Sequence, residues 1–518
     1  MSRTLVAGVD SSTQSCKIVV CDAATGEVVR TARAPHPDGT QVDPSAWWTA
    51  WEQACAGDIL DGVEAIAVGG QQHGMVTLDS ADQIIRPALL WNDTRSASSA
   101  ADLVDEFGGA GAWAEQIGVV PVAAITVSKV RWLARNEPEN LDRLHTCVLP
   151  HDWLTGRILQ AGGGFQGWTT DRGDASGTAY WSAHTNSYRE DVMALAAGRS
   201  FGVPTVLEPN AIAGQTDSGM LVAPGTGDNM GAALGLGLQP GDVVCSLGTS
   251  GTVFARAADP IADESGAIAS FADAAGGYLP LMCTLNAARV LNAGAAMLGV
   301  DFDGLDKLAL AAEPGAGGLT LLPYLDGERT PNLPEATGSL HGMTRANATP
   351  ENLARAVVEG MLLNVAAGVD ALRAHGVHIG RVLIIGGAAA SRAWATNRPY
   401  SRKATSSSPM YSAASPRFGT RSTSPPVGSS AKASRNSVAA SRRFPRLMWA
   451  KPDSSSAEDR AAPGGTPSRS PTNSAGSMPM PESAPNVAAA AAIRAITVAR
   501  AKSVPATSRA ACSRIRCP

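Results

Sequence analysis

The chain has 518 residues, 46 of them acidic against 42 Lys and Arg, for a formal charge of −4. That length exceeds one simple core and predicts two domains with a cleft between them. The balance hides an asymmetry: from Ala395 onward there are 19 basic and 4 acidic residues, leaving 23 basic and 42 acidic in residues 1–394, and so acidic a body excludes a nucleic-acid backbone as main partner.

The apolar run Thr4 to Val9 predicts a first strand, closed by the polar turn Asp10-Ser11-Ser12-Thr13-Gln14-Ser15. Cys16 to Asp22 gives a second strand and Val28 to Ala34 a third, with the turn Ala24-Thr25-Gly26-Glu27 between them. Trp47 to Ala54 reads as a helix whose Trp47, Trp48 and Trp51 face the core. Val63 to Gly69 reads as a buried strand, and Val76 to Leu78 with Ile84 to Pro87 as a hairpin around Asp79 to Gln83. Strands and helices in this order predict an α/β layered domain. The N-terminal apolar stretch is too short for a signal peptide, and no run of about 18 apolar residues predicts a membrane span. The eight cysteines, without a C-x-x-C pair, are expected to be reduced thiols of a cytoplasmic protein.

A second cycle begins near Val222, passes through Pro224-Gly225-Thr226-Gly227-Asp228-Asn229 and enters a helix from Met230 to Leu238. Strand Asp242 to Ser246, loop Leu247-Gly248-Thr249-Ser250-Gly251 and strand Thr252 to Ala255 follow. Both cycles thus hold a small hydroxyl-rich loop between two strands, where Gly and Ser let backbone N–H groups approach a phosphate. One such loop is an ordinary hairpin; one per half of the chain suggests a clamp.

These residues resemble the FGGY family of carbohydrate kinases. Asp10-Ser11-Ser12-Thr13 is similar to the family's first phosphate loop and Ser246-Leu247-Gly248-Thr249-Ser250-Gly251 to its second. Thr126, Lys129, Trp132 and Leu133 resemble its first signature, with Ala124 a departure from it. Gly338, Leu340, Gly342, Met343, Asn352, Leu353, Ala356, Val357, Val358 and Glu359 match its second. Gly70-Gln71-Gln72-His73-Gly74 and Trp91-Asn92-Asp93 look like the sugar-site segments of the xylulose-phosphorylating members, in which Met-His is commoner than Gln72-His73. Leu322-Pro323-Tyr324-Leu325, Gly327-Glu328-Arg329 and Thr330-Pro331 add to the likeness, which runs from residue 4 to about 394.

The resemblance implies an α/β protein of two actin-like, ribonuclease-H-like ATPase domains flanking a cleft, at 1–220 and 221–394. It implies phosphorylation of D-xylulose by ATP with Mg²⁺, a small sugar as partner rather than nucleic acid or membrane, and leaves room for a homodimer. Asp228 is expected as general base, its alternative being a helix N-cap. Asp10 is expected on Mg²⁺, its alternative being a turn residue. Ser12, Thr13, Gly248, Thr249, Gly386 and Gly387 would line the nucleotide, and Gln72, His73, Asn92, Asp152 and Asn229 the sugar. A related pentulose or polyol kinase, or an inactive sugar-binding protein, are the other readings. Residues 395–518 are rich in Ser, Ala, Pro and Arg without apolar period. They predict an anomalous disordered tail of shifted-reading-frame character, with one Ala-rich helical stretch from Asn486 to Ala501.

Overall fold

A computed structural model describes residues 3–386 and the backbone of the strand Met410–Ser412. That short strand, parallel to Arg381–Ile385, departs from the disorder expected of the tail; the expectations for Gly387, for the rest of the tail, for the stretch Asn486 to Ala501, and for Cys512 and Cys517 fall outside the described residues.

The first three strands, Leu5–Ser11, Ser15–Asp22 and Val28–Pro35, form an antiparallel meander. Strand Val63–Gly70 joins Leu5–Ser11 in parallel, and the short strands Leu221–Val222 and Thr226–Gly227 both pair with Val63–Gly70. The second sheet repeats the plan. Asp242–Leu247 and Gly251–Ala255 are an antiparallel hairpin extended by Tyr278–Thr284 and Ala269–Ala272, and Arg381–Ile385 runs parallel to Asp242–Leu247. Each sheet therefore has a tight hairpin with a parallel neighbour beside its first strand. The first sheet runs past residue 220 through Gly227, and the helix Asp228–Leu236 connects it to the second at Asp242.

Local chemistry explains the main helices. Pro44–Ala54 starts three residues before Trp47 because Asp43 accepts from Ser45 N at 2.9 Å and Pro44 presets the first turn. Its buried Trp47, Ala50, Trp51 and Ala54 fall on one face, and Trp47 meets Trp153 of the helix Pro150–Ala161 edge-on at 6.1 Å. Trp48 is half-buried under Arg157. Burying each such aromatic body contributes about 1.5–3 kcal/mol. The 25-residue helix Pro350–Ala374, capped by Thr349, lies on the second sheet, and a Cβ at Gly360 would stand 2.6 Å from Leu321 O. A third core passes from the helix Thr126–Asn136 through Val130 and Leu133 to Val244, Phe254 and Phe271 of the second sheet, so apolar packing is continuous between the two halves.

Val76–Leu78 makes the expected turn around Asp79 to Gln83, with Asp79 N donating to Gln83 O and Ile85 N to Thr77 O, each at 3.0 Å about a bridge from Leu78 to Ile84, and it also pairs with the strand Thr146–Val148. The helix expected from Met230 starts at Asp228. Five of the six described cysteines are buried and all six are free thiols. No helix among the described residues is long and apolar enough to cross a membrane.

Candidate active site

Gly227 is in register with Gly70, Thr226 with Gly69, and Gly69 with Asp10. Asp10 and Asp228 therefore leave the same end of the first sheet, not opposite lobes. The segment before Asp228 is fixed in two ways. Thr226 Oγ1 donates to Asp171 Oδ2 at 2.6 Å, and Gly225, at φ 78°, passes so close that a Cβ would lie 2.4 Å from Val68 O and 2.7 Å from His151 Cδ2. Only glycine fits there.

Gly227, extended at φ −64°, ψ 152°, occupies the N-cap, which places Asp228 one residue inside the helix. Its carboxylate accepts from Asn229 N, the second amide of the helix, at 2.8 Å and from Asn229 Nδ2 at 2.9 Å, so from the first helical position it also satisfies a terminal amide as the capping alternative expected. Asn229 Nδ2 also donates to Gln72 Oε1 at 3.1 Å, and Asn229 Oδ1 accepts from Thr252 Oγ1 at 3.1 Å. One amide thus ties the carboxylate to Gln72 and to the second sheet.

Burial, then the charge of Asp10, pushes the Asp228 carboxyl up to about 7 despite the hydrogen bonds from Asn229. A group poised there can accept a proton at neutral pH. Asp10 is itself raised by burial, opposed by Lys17, whose Nζ lies 3.7 Å from Asp10 Oδ2. Asp10, Ser12, Asp228, Asn229, Ser246 and Gly386 line one cleft of about 330 Å³.

The two loops come from different sheets; of their residues Ser12 and Ser246 line this cleft, whereas Thr13, Gly248 and Thr249 lie outside its lining. Ser12 N donates to Ser15 O at 3.2 Å, His36 Nδ1 donates to Ser12 O at 2.8 Å, and Thr13 Oγ1 accepts from Trp91 Nε1 at 2.9 Å. Gly248 O accepts from Ala288 N at 2.9 Å at the start of the helix Ala288–Leu298, leaving Gly248 half-buried and Thr249 exposed. Gly386, at φ 95°, crosses Leu247 so closely that a Cβ would stand 2.5 Å from Leu247 O.

Of the expected sugar residues Asn229 lines the cleft and is bonded to Gln72, and His73 follows Gln72 in the turn; Gln72, His73 and Asn92 are not among the lining residues. His73 is buried and its Nδ1 donates to Gly177 O at 2.8 Å, so Nε2 is left as an acceptor. Burial, with Arg329 and Lys129 nearby, holds the imidazole well below its ordinary pKa and therefore neutral. Asn92 reaches Gly39 O at 3.5 Å, and none of its hydrogen bonds goes to Gln72, His73 or Asn229. Asp152 is fully buried, accepts from Leu149 N at 2.7 Å, and does not line the cleft.

Beside Asp152 lies a group that sequence reasoning passed over. His151 Nδ1 stands 2.5 Å from Asp174 Oδ2 and His151 Nε2 3.3 Å from Asp152 Oδ1, with all three side chains buried. Against burial, which opposes its charge, Asp152 and Asp174 push His151 up to about 10. The imidazolium answers one of the two carboxylates beneath Gly70 and Gly225. The available signal was the Asp171-Arg172-Gly173-Asp174 run, in which Asp171 caps a short helix and accepts from the amides of Gly173 and Asp174.

Comparison with known proteins fits this geometry. Residues 5–237 match the N-terminal domain, and residues 243–396 the C-terminal domain, of the FGGY family of carbohydrate kinases. The chain is 46% identical to a xylulose kinase of Streptomyces coelicolor over 405 residues, 75% of this chain and 81% of the relative. It is 45% identical over the same length to the xylulose kinase of Streptomyces rubiginosus. The crystal structure of xylulose kinase from Bifidobacterium adolescentis is 48% identical and superposes with a TM-score of 0.68, covering 76% of this chain and 86% of that one.

Proposed function

The chain belongs to the FGGY family of carbohydrate kinases, with its two-domain actin-like fold, and we propose that it transfers the γ-phosphoryl group of MgATP to D-xylulose, giving D-xylulose 5-phosphate, with Asp228 as general base. The observation that carries this reading is the carboxylate of Asp228, held by Asn229, poised near neutrality and lining one cleft with Asp10, Ser12 and Ser246.

In the proposed step the 5-hydroxyl of the sugar gives its proton to Asp228 as its oxygen bonds to the γ-phosphorus, while the bond from phosphorus to the bridging oxygen breaks and ADP leaves. The proton on Asp228 then passes to solvent. Gln72 is held through Asn229, and the neutral His73 offers Nε2 to a hydroxyl proton, so both orient the ketose by hydrogen bonds. The amides of the Ser12–Thr13 and Gly248–Thr249 loops would meet the phosphates from the two sheets. Asp10 fits as a Mg²⁺ partner because it is a hard oxygen donor on the cleft, with its side chain 31% exposed. Bound Mg²⁺ would neutralise charge on the transferring group. The cytoplasm, where ATP is made and thiols stay reduced, is the compartment this reading requires.

Steady-state ADP release with D-xylulose, against a panel of ketopentoses and polyols, tests the proposal. Preference for another member of the panel would replace the substrate and keep the reaction. One observation favours a second reading, a sugar-binding protein without transfer: the family match ends at residue 396. Saturable sugar binding without ADP release would decide for it.

A further inference from the structure

His73 is one of five non-glycine residues with positive φ among those described, at 65°, a conformation that costs a side-chain-bearing residue about 2–5 times the thermal energy and persists only when its surroundings hold it. Three contacts do so. Lys129 Nζ donates to His73 O at 3.0 Å and also to Ala124 O; Thr126 Oγ1 donates to the same His73 carbonyl at 3.2 Å; and the ring itself donates to Gly177 O. Phe271 of the second sheet closes on the ring at 5.4 Å between centroids.

Lys129 is an unusual choice for this place. It has 0% exposure on the helix Thr126–Asn136, and both of its hydrogen bonds go to backbone carbonyls. A methionine would fill much the same volume without the cost of burying an amine. What methionine cannot do is join the carbonyl of His73 to that of Ala124.

We propose that Lys129 is a positioning residue for the sugar: by tying the His73 carbonyl to the helix Thr126–Asn136 it holds the left-handed turn and so aims the imidazole Nε2 at a ketose hydroxyl. This rests on the kinase reading above. Lys129 touches neither substrate, so its effect falls on sugar affinity and leaves the nucleotide and the proton acceptor alone.

The test is Lys129→Met in the full chain, assayed by ADP release with D-xylulose and ATP varied separately. The KM for sugar is expected to rise about tenfold, as for loss of a buried hydrogen bond. The KM for ATP and kcat should stay within about threefold. Thr126→Val removes a second donor to the same carbonyl and should move the sugar KM in the same direction by less; it carries the test if Lys129→Met does not fold. Val130→Ala, fully buried on the same helix, should lower the thermal midpoint without moving the sugar KM. An unchanged sugar KM in both Lys129→Met and Thr126→Val overturns the inference alone when the wild type is active. A wild type that neither releases ADP with D-xylulose nor binds it by calorimetry overturns the kinase reading, and the inference with it.

Discussion

Gly227 is paired in parallel register with Gly70, and this brings Asp228 to the sheet end that carries Asp10. Two carboxylates on one sheet end repel each other, which is part of why the Asp228 carboxyl sits at about 7.

The pH profile follows from that relationship. The base works only when deprotonated, so kcat/KM should fall about tenfold per pH unit below its pKa and level off above about pH 7.5. Asp10→Asn removes a neighbouring negative charge, which favours ionisation of Asp228 and moves this acidic limb to lower pH, while loss of a metal partner lowers the plateau. Initial-rate profiles of both proteins check this. A wild-type rate already flat from about pH 5, as an ordinary aspartate gives, would contradict it.

Gly225→Ala should disturb the segment that carries the base. The new Cβ would meet Val68 O at 2.4 Å and His151 Cδ2 at 2.7 Å, at a φ of 78° that alanine resists. A displacement near 1 Å at a reacting group costs on the order of 10²-fold in turnover, and the strain costs about 1–3 kcal/mol of stability. Turnover together with urea unfolding measures both. Normal turnover in a folded variant would show that the segment tolerates the shift.

On the nucleotide side, Gly386→Ala should act differently. Its Cβ would stand 2.5 Å from Leu247 O, just before the Gly248–Thr249 loop. The KM for ATP should rise by about tenfold, whereas calorimetric affinity for D-xylulose should stay within about twofold. Equal losses for both ligands would place Gly386 in general folding rather than at the phosphates.

Much of the fold was legible because its signals are local. Apolar runs ending in Asp10 and Ser246 mark strands, and Gly26, at φ 74°, marks the turn it occupies. The start of Pro44–Ala54 was legible too, in Asp43 and Pro44, but an apolar-spacing reading begins a helix at its first buried tryptophan. The long match from Gly338 to Glu359 turns out to describe packing. Gly342 passes where a Cβ would lie 2.3 Å from Gly318 O, Ala356, Val357 and Val358 are core, and Glu359 holds Arg355 and the Gly315 amide. What stayed hidden is non-local. The register of Gly227 on Gly70, the pairing of His151 with Asp174, and the reach of Lys129 to His73 join residues with no shared periodicity. No window of sequence contains both partners of such a contact.

The role of Asp228 is tested most directly by Asp228→Asn, assayed for ADP release with D-xylulose alongside an active wild type. Asparagine keeps the size and can still accept from Asn229, whose bonds to Gln72 and Thr252 are unaffected. It cannot take a proton. Sugar affinity by calorimetry should therefore change by less than about threefold and turnover should fall by about 10²–10⁴, the usual contribution of a general base. A folded variant that turns over within about threefold of wild type would contradict the assignment of Asp228 as the base.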